Sequence, residues 1–461
     1  MTRKTYLESL KERVLIFDGA MGTSVQAFNL TAEQFGGARL EGCNDYLCVT
    51  NPTVIEQIHT SFMEAGADVL ETATFGSTRP KLAEYGIGDE VFNQNYAAAR
   101  LARRVADNFA TPSRPRYVAG SMGPTGYLPS ASDPVLSAVT YQQLKAIYKE
   151  QARPLVEGGV DMLVIGTMQD ILELKAAIAG AAEYFRESGR SVPIQAQVTL
   201  DTSGRMLLGT DIVAALTTLH YLPVDVIGLN CSTGPEHMRE PIRFLAEHAT
   251  RPVSCIPNAG LPINVGGQAV YPLEPEPMAR SLYEFVADLG ASVVGGCCGT
   301  RPEHIRALVE SVGIEREQRP RPTSFQPRVA SGMRAIPLEQ VPAPLIVGER
   351  VNAQGSRKVK RLLLGEDYDS IVDVGREQVD GGAHVLDVQV AVTERSDEDV
   401  QMRTLVKKLA MSVEAPLMID STEPASMQAA LEVYPGRAIL NSINMERGRE
   451  RIEARLGSWA R

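Results

Sequence analysis

The chain has 461 residues, with 46 Lys+Arg against 56 Asp+Glu, a formal net charge of −10. Hydrophobic residues make up 44% and charged residues 22%, a globular balance that excludes wholesale disorder. The acidic excess gives no electrostatic reason to hold DNA or RNA, and no apolar run approaches the roughly 18 residues of a membrane span.

The N-terminus is charged throughout and lacks the apolar stretch of a signal peptide. A cytoplasmic, enzyme-sized protein is expected. The six cysteines, Cys43, Cys48, Cys231, Cys255, Cys297 and Cys298, need not form disulfides in a chain long enough to bury a core. Metal or catalytic use is the better expectation for any that cluster.

Over residues 1–312, apolar β-rich runs alternate with amphipathic helical segments. The runs fall at 14–17, 68–75, 116–123, 161–167, 193–200, 225–232, 252–258 and 291–298. Helical patterns cover 52–66, 91–108, 141–158 and 169–187, with shorter ones later. Near-continuous apolar runs suit strands buried on both faces, as in a parallel sheet. Eight such alternations predict a closed (β/α)8 barrel. The competing open doubly wound sheet is disfavoured because no G-x-G-x-x-G follows the first strand. Residues 313–344 hold six prolines and several arginines and read as an inter-domain linker. From 345 the alternation restarts, with strands expected at 345–349, 384–390, 417–420 and 438–442 and helices near 369–381, 397–412 and 426–434. Four β/α units make half a barrel, so residues 345–461 are expected to be a truncated barrel or one completed by another chain.

Barrel enzymes place their chemistry at the C-terminal ends of the strands. Those ends carry Asp18-Gly-Ala-Met-Gly-Thr23, Glu71, Ser121, Asn230-Cys-Ser232, Asn258 and Gly295-Gly-Cys-Cys-Gly299. Cys231, Cys297 and Cys298 thus stand at one end of strands separated by a single neighbour. Adjacent strand residues face opposite ways, but the flanking glycines permit a turn that brings both sulfurs of the Cys297-Cys298 pair to one centre. Three thiolates with one open position make a catalytic zinc arrangement. The other readings are small buried apolar residues or a strained disulfide between neighbours. The Asp18–Thr23 loop suits an amino acid, with backbone amides for its carboxylate and Asp18 for its ammonium; the competing reading is a plain tight turn. His59, His220, His237, His248 and His304 fall in or beside helical segments and His384 opens a strand, which points to surface or packing roles. Cys43, Cys48 and Cys255 read as packing residues.

The motifs Phe17-Asp-Gly-Ala-Met-Gly-Thr23, Gln197-Val-Thr-Leu-Asp-Thr-Ser-Gly-Arg-Met-Leu-Leu-Gly-Thr210, Gly228-Leu-Asn-Cys-Ser232, Pro257-Asn-Ala-Gly-Leu-Pro262 and Gly295-Gly-Cys-Cys-Gly-Thr300 resemble the homocysteine-binding barrel of the cobalamin-dependent methionine synthase family, over residues 10–312. The resemblance implies zinc held by Cys231, Cys297 and Cys298. It also implies homocysteine held by Asp18 and the amides near Ala20 and Met21; Glu71, Ser121 and Asn258, at strand ends on the same rim, are further candidate substrate contacts. Residues 345–461 resemble the pterin-binding barrel of the same family through Gly348-Glu-Arg-Val-Asn352, Gly382-Ala-His-Val-Leu-Asp387, Met418-Ile-Asp-Ser421 and Leu440-Asn-Ser-Ile443. By that likeness Asn352, Asp387, Asp420 and Asn441 line the pterin pocket, where strand-end Asp and Asn meet the N–H groups of an amino-pyrimidinone edge. For Asp420, capping of the following helix is the rival reading.

The family implies methyl transfer from methylcobalamin, recharged from 5-methyltetrahydrofolate, to the thiol of homocysteine, with a cobalamin-binding domain or protein as partner. The chain departs from the family at Gly166-Thr167, where Glu-Thr is common, at Ala73 and at Gln389. Glu71 is the carboxylate expected to compensate at the first of these. Two other readings compete: a homocysteine S-methyltransferase using a methylsulfonium donor, and a non-catalytic fragment that retains zinc or homocysteine.

Overall fold

The computed structural model describes residues 3–266, 268–313 and 319–442; the tail beyond 442, with Ile443 of the last pterin-type motif and Trp459, lies outside the described residues. Eight parallel strands form the first sheet. They are β1 (Leu15–Ile16), β2 (Val69–Glu71), β3 (Tyr117–Met122), β4 (Met162–Met168), β5 (Ile194–Val198), β6 (Val226–Asn230), β7 (Val253–Ile256) and, after a hairpin of β8 (Ile263–Val265) and β9 (Gln268–Val270), β10 (Val293–Val294). β1 pairs with β10. At its other edge a parallel bridge joins Phe17 to Val69, with Asp68 N–H donating to Ile16 O at 2.7 Å and Asp18 N–H to Val69 O at 3.0 Å. The ring is the expected (β/α)8 barrel.

Alternation along the strands feeds two cores. Leu15, Phe17, Tyr117, Ala119, Met162 and Val164 pack together inside the ring. Ile16, Val118, Leu163 and Ile165 belong to the larger cluster against the surrounding helices. That double burial is why the runs read as continuously apolar. The charged N-terminus supplies an element the periodicity did not suggest, helix Tyr6–Glu12, capped by Thr5 and Glu8. Its Tyr6 and Leu10 join the interior cluster and Tyr6 Oη donates to Gln195 Oε1 at 3.1 Å. The outer helices start and stop on local signals: Thr140 and Gln143 form a capping box for Tyr141–Gly158, and Asp170 caps Ile171–Ser188.

Two expectations about strand ends are corrected. The last barrel strand stops at Val294 and does not run to 298. A Cβ on Gly295 would lie 2.6 Å from Phe17 Cβ, and one on Gly296 would lie 2.5 Å from Thr300 Oγ1. The chain leaves the sheet where only glycine fits. Likewise β2 ends at Glu71, so residues 72–75 are loop.

Within residues 313–344, strands β11 (Arg328–Ala330) and β12 (Ala335–Pro337) pair antiparallel. Val329, Ala330 and Ser331 are buried. Ala330 bridges to Arg437 and Asp211 N–H donates to Met333 O at 3.0 Å, so this hairpin is packed between the two units. The second unit is a parallel sheet of β13 (Val347–Asn352), β14 (Val385–Gln389), β15 (Leu417–Asp420) and β16 (Ile439–Asn441), in that order. Helices Tyr368–Asp380, Glu398–Ser412 and Pro424–Leu431 pack on it around its own core. Lys175 of the first unit donates to Tyr434 O at 2.7 Å and Gly436 O at 3.1 Å. Among the described residues no helix is long and apolar enough to cross a membrane.

Candidate metal centre

The chain turns out of β6 abruptly: Cys231 and Ser232 have φ of 61° and 64°. Left-handed backbone at two consecutive non-glycine residues is unfavourable, and such strain persists where the surroundings fix it. Cys231 N–H still donates to Ile256 O at 3.0 Å, while Cys297 N–H donates to Pro257 O at 2.8 Å and Ala259 N–H to Cys298 O at 2.9 Å. β7 and the segment after it therefore hold both cysteine segments in register. Gly299 follows at φ 80°, with a Cβ there 2.3 Å from Tyr271.

The three sulfur atoms converge within 4.8 Å of one another, and Cys231 Sγ lies 3.8 Å from Cys298 Sγ. All three side chains are half-buried. Hydrogen bonds from Cys231 and Cys297 pull the Cys298 thiol down to about 3, and the same contacts push Cys297 well above the usual thiol range. Cys298 is thus the thiol of the three that ionises most readily. The donor set, soft and tightly gathered, is one that a thiophilic divalent cation would complete. Cys43, Cys48 and Cys255 are buried away from this cluster, as packing residues are.

A pair of carboxylates stands on the same rim, where Gly296 N–H, just before the cysteine pair, donates to Asp18 O at 3.1 Å. Asp18 is buried and accepts from Glu71 N–H at 3.1 Å. Ser121 Oγ donates to Glu71 Oε2 at 3.1 Å. Burial and the neighbouring Glu71 hold Asp18 well above the usual carboxylate range, and burial pushes Glu71 up to about 7. No cation is supplied by the protein at this pair among the described hydrogen bonds, which suits an incoming ammonium. Asn258 is buried and its Oδ1 has no partner. The expectation for Ala20 is corrected: its N–H donates to Thr300 O at 3.3 Å and Thr300 Oγ1 at 3.1 Å, so it is not free to bind a carboxylate. Met21 opens helix Met21–Ala27, and its N–H has no intrahelical acceptor.

In the second unit Asn352 Nδ2 donates to Asp387 Oδ2 at 2.8 Å and reaches Asp420 Oδ2 at 3.5 Å. Asn441 stands opposite Asp420 in the register of β15 and β16. The sequence-predicted quartet is therefore carried on four neighbouring strand ends. Burial raises Asp387, and burial with the nearby Asp387 raises Asp420 to about 6. Asp387 Oδ1 and Gln389 Oε1 are buried without partners. Asp420 does not cap the following helix, since Glu423 occupies the cap position and Ser421 Oγ accepts from Glu423 N–H at 2.9 Å.

Residues 15–312 match the family model for homocysteine S-methyltransferases. The chain belongs to the homocysteine S-methyltransferase family. A second family model, pterin binding enzyme, matches residues 348–456. The methionine synthase of Mycobacterium tuberculosis (strain ATCC 25618 / H37Rv) is 45% identical over 443 residues, and that of Mycobacterium leprae (strain TN) is 43% identical over 448. Each alignment covers 96% of this chain and 36% of the relative, so the chain corresponds to about a third of their length. The solved structure of the homocysteine methyltransferase MmuM from Escherichia coli in its metallated form matches with a TM-score of 0.52 at 23% identity, over 65% of this chain and 96% of that one. That likeness shows the fold. The chain is thus a methyltransferase-family barrel joined to a pterin-binding-type unit, as in the N-terminal part of a methionine synthase.

Two residues of this homocysteine S-methyltransferase barrel escape reasoning from strand ends alone. Thr300 donates to Cys297 O at 2.6 Å while accepting from Ala20 N–H, tying the cysteine turn to the Asp18 loop. Its place in the Gly-Gly-Cys-Cys-Gly-Thr motif was the available signal. Tyr271 packs on Gly299 from the loop after β9, and nothing in its sequence context marks it. At Gly166, a Cβ would come within 3.0 Å of Gln197 Oε1 and 3.4 Å of Asn230. Asn230 in turn exchanges hydrogen bonds of 2.7 Å with Thr167. The local packing is built around glycine.

Proposed function

We propose that the first unit binds zinc through Cys231, Cys297 and Cys298 and methylates the thiol of homocysteine, giving methionine. The convergence of three sulfurs at the barrel mouth carries this reading. The methyl donor is methylcobalamin, brought by a cobalamin-binding module outside this chain and recharged from 5-methyltetrahydrofolate at the second unit. The setting is the cytoplasm, where thiols stay reduced.

Bound Zn2+ would supply a lowered thiol pKa and a fixed position for the substrate sulfur. The protein does the rest. Asp18 and Glu71 take the substrate ammonium, and its arrival converts both raised carboxyls to their charged forms. Ser121 orients Glu71 through its hydrogen bond, and Asn258 offers an unused buried acceptor. The Met21 N–H faces the substrate carboxylate. With the amino acid so anchored, its thiolate is held for attack on an electrophilic methyl carbon. The new S–C bond forms as the bond from methyl to donor breaks, with the electron pair leaving on the donor. In the second unit Asn352, Asp387, Asp420 and Asn441 meet the N–H edge of the pterin, whose donors would satisfy Asp387 Oδ1.

The test is methionine formation from homocysteine by the zinc-replete chain, with free methylcobalamin in one arm and S-methylmethionine in the other. Turnover with methylcobalamin supports the proposal. Turnover with S-methylmethionine alone assigns a methylsulfonium donor, and turnover with neither leaves a binding fragment.

A further inference from the structure

Tyr271 follows strand β9 and stands over the cysteine turn. Its loop is fixed from two sides. Leu273 N–H donates to Ala259 O at 3.0 Å, and Ala259 N–H donates to Cys298 O at 2.9 Å. One residue of the segment after β7 thus holds both the Tyr271 loop and the last cysteine. On the other side, Arg301 N–H donates to His304 Nδ1 at 3.2 Å. That nitrogen is therefore the acceptor of the imidazole, and Nε2 carries the proton. Nε2–H donates in turn to Leu273 O at 2.9 Å. His304 is buried in the first turn of helix Pro302–Val312, which follows the cysteine pair. The loop and the cysteine turn are held as one piece.

The Tyr271 side chain so placed makes two different contacts. Its ring packs on Gly299, where an added Cβ would lie 2.3 Å from Tyr271 Cγ. Its hydroxyl donates a hydrogen bond to Cys298 and lies within electrostatic range of Cys231 and Cys297. The ring contact needs only a flat apolar group, which phenylalanine would supply as well. The hydroxyl is what reaches the metal ligands. A divalent ion held by three thiolates has a net negative charge, which opposes a fourth sulfur anion. A hydrogen bond to one of those thiolates draws electron density back from the metal and eases that opposition.

We propose that Tyr271 is a positioning residue of the metal centre: its hydroxyl, donating to the Cys298 thiolate, reduces the charge that sulfur passes to the metal and keeps the fourth position receptive to the substrate sulfur. This rests on the zinc reading above.

The test is Tyr271→Phe, which keeps the ring on Gly299, in the 461-residue chain loaded with Co2+ as a spectroscopic substitute for zinc. Without the hydroxyl the lone pairs of the sulfur rise in energy, so the sulfur-to-cobalt charge-transfer band should move to longer wavelength. Zinc affinity, measured against a graded chelator, should fall about tenfold, as for loss of an outer-shell partner. Tyr96→Phe, on the exposed face of helix Val91–Phe109, should change neither. A charge-transfer band that stays in place in Tyr271→Phe overturns the proposal, even where affinity falls, because packing alone could lower affinity. If the wild type binds neither Co2+ nor Zn2+, the zinc reading itself fails and this inference falls with it.

Discussion

Cys231 and Cys298 lie 67 residues apart in sequence and bring their Sγ atoms to 3.8 Å across the end of β7. The approach depends on left-handed backbone at Cys231, φ 61°, and at Gly299, φ 80°. Neither sulfur would reach the other if its strand simply continued.

Replacing any one of Cys231, Cys297 or Cys298 by alanine should release zinc. Loss of an outer-shell partner costs about 10–100-fold in metal affinity, and loss of a ligand should cost more. Metal analysis of the purified variants against a graded chelator checks this, with Cys255→Ala as a control that keeps its zinc. Retention of wild-type affinity by all three variants would refute the assignment.

Gly299→Ala should be worse than an ordinary glycine substitution. At Gly204, φ 76° with nothing within 4 Å of an added Cβ, only backbone strain is incurred, about 1 kcal/mol. At Gly299 the Cβ also strikes Tyr271 at 2.3 Å, which should bring the loss to roughly 2–4 kcal/mol. Thermal unfolding of the two variants side by side measures the difference, and G299A should additionally weaken metal binding.

Binding of the amino-acid substrate should strengthen as pH rises through neutrality. In the empty pocket Glu71 sits at about 7, so below that pH it holds a proton that an ammonium must expel. The Glu71 proton alone contributes a rise of at most about tenfold per pH unit below 7, and Asp18, also held well above the usual carboxylate range, adds its own release. Methionine is the suitable probe because its sulfur carries no proton. Calorimetry should find proton release near pH 6 that is smaller in Glu71→Gln. Ser121→Ala removes a hydrogen bond that favours the charged form, so it should move the midpoint upward.

Asp387→Ala should weaken 5-methyltetrahydrofolate roughly 10- to 100-fold through loss of charge-assisted bonds. Zinc content and methionine binding should not change, because the two units have separate cores. Parallel titrations of the variant with both ligands test this; joint loss of the two activities would mean that the substitution acts through global stability.

Lys175→Met should loosen the second unit. It leaves Tyr434 O and Gly436 O without the ammonium that now caps them, a loss of about 1–3 kcal/mol. Urea unfolding followed by hydrogen exchange should show earlier opening of residues 430–440 than of the barrel strands.

Much of this protein is legible in its sequence because local physics decides it. Strands buried on both faces must read as apolar runs, and their eightfold alternation with helices named the barrel. Cys231, Cys297 and Cys298 could be grouped once strand ends were counted, since parallel strands put all their C-termini on one rim. What the tertiary structure alone decided is which polar atoms are already spent. Ala20's amide looked free until Thr300, 280 residues away, was found to hold it. Asp420 could have been a helix cap until Glu423 took that position. The proline-rich stretch looked like a spacer, yet Val329 and Ala330 are buried where two units meet. A sequence declares each group's capacity to bond, but the partner that uses it comes from a distant segment, and only the folded chain brings the two together.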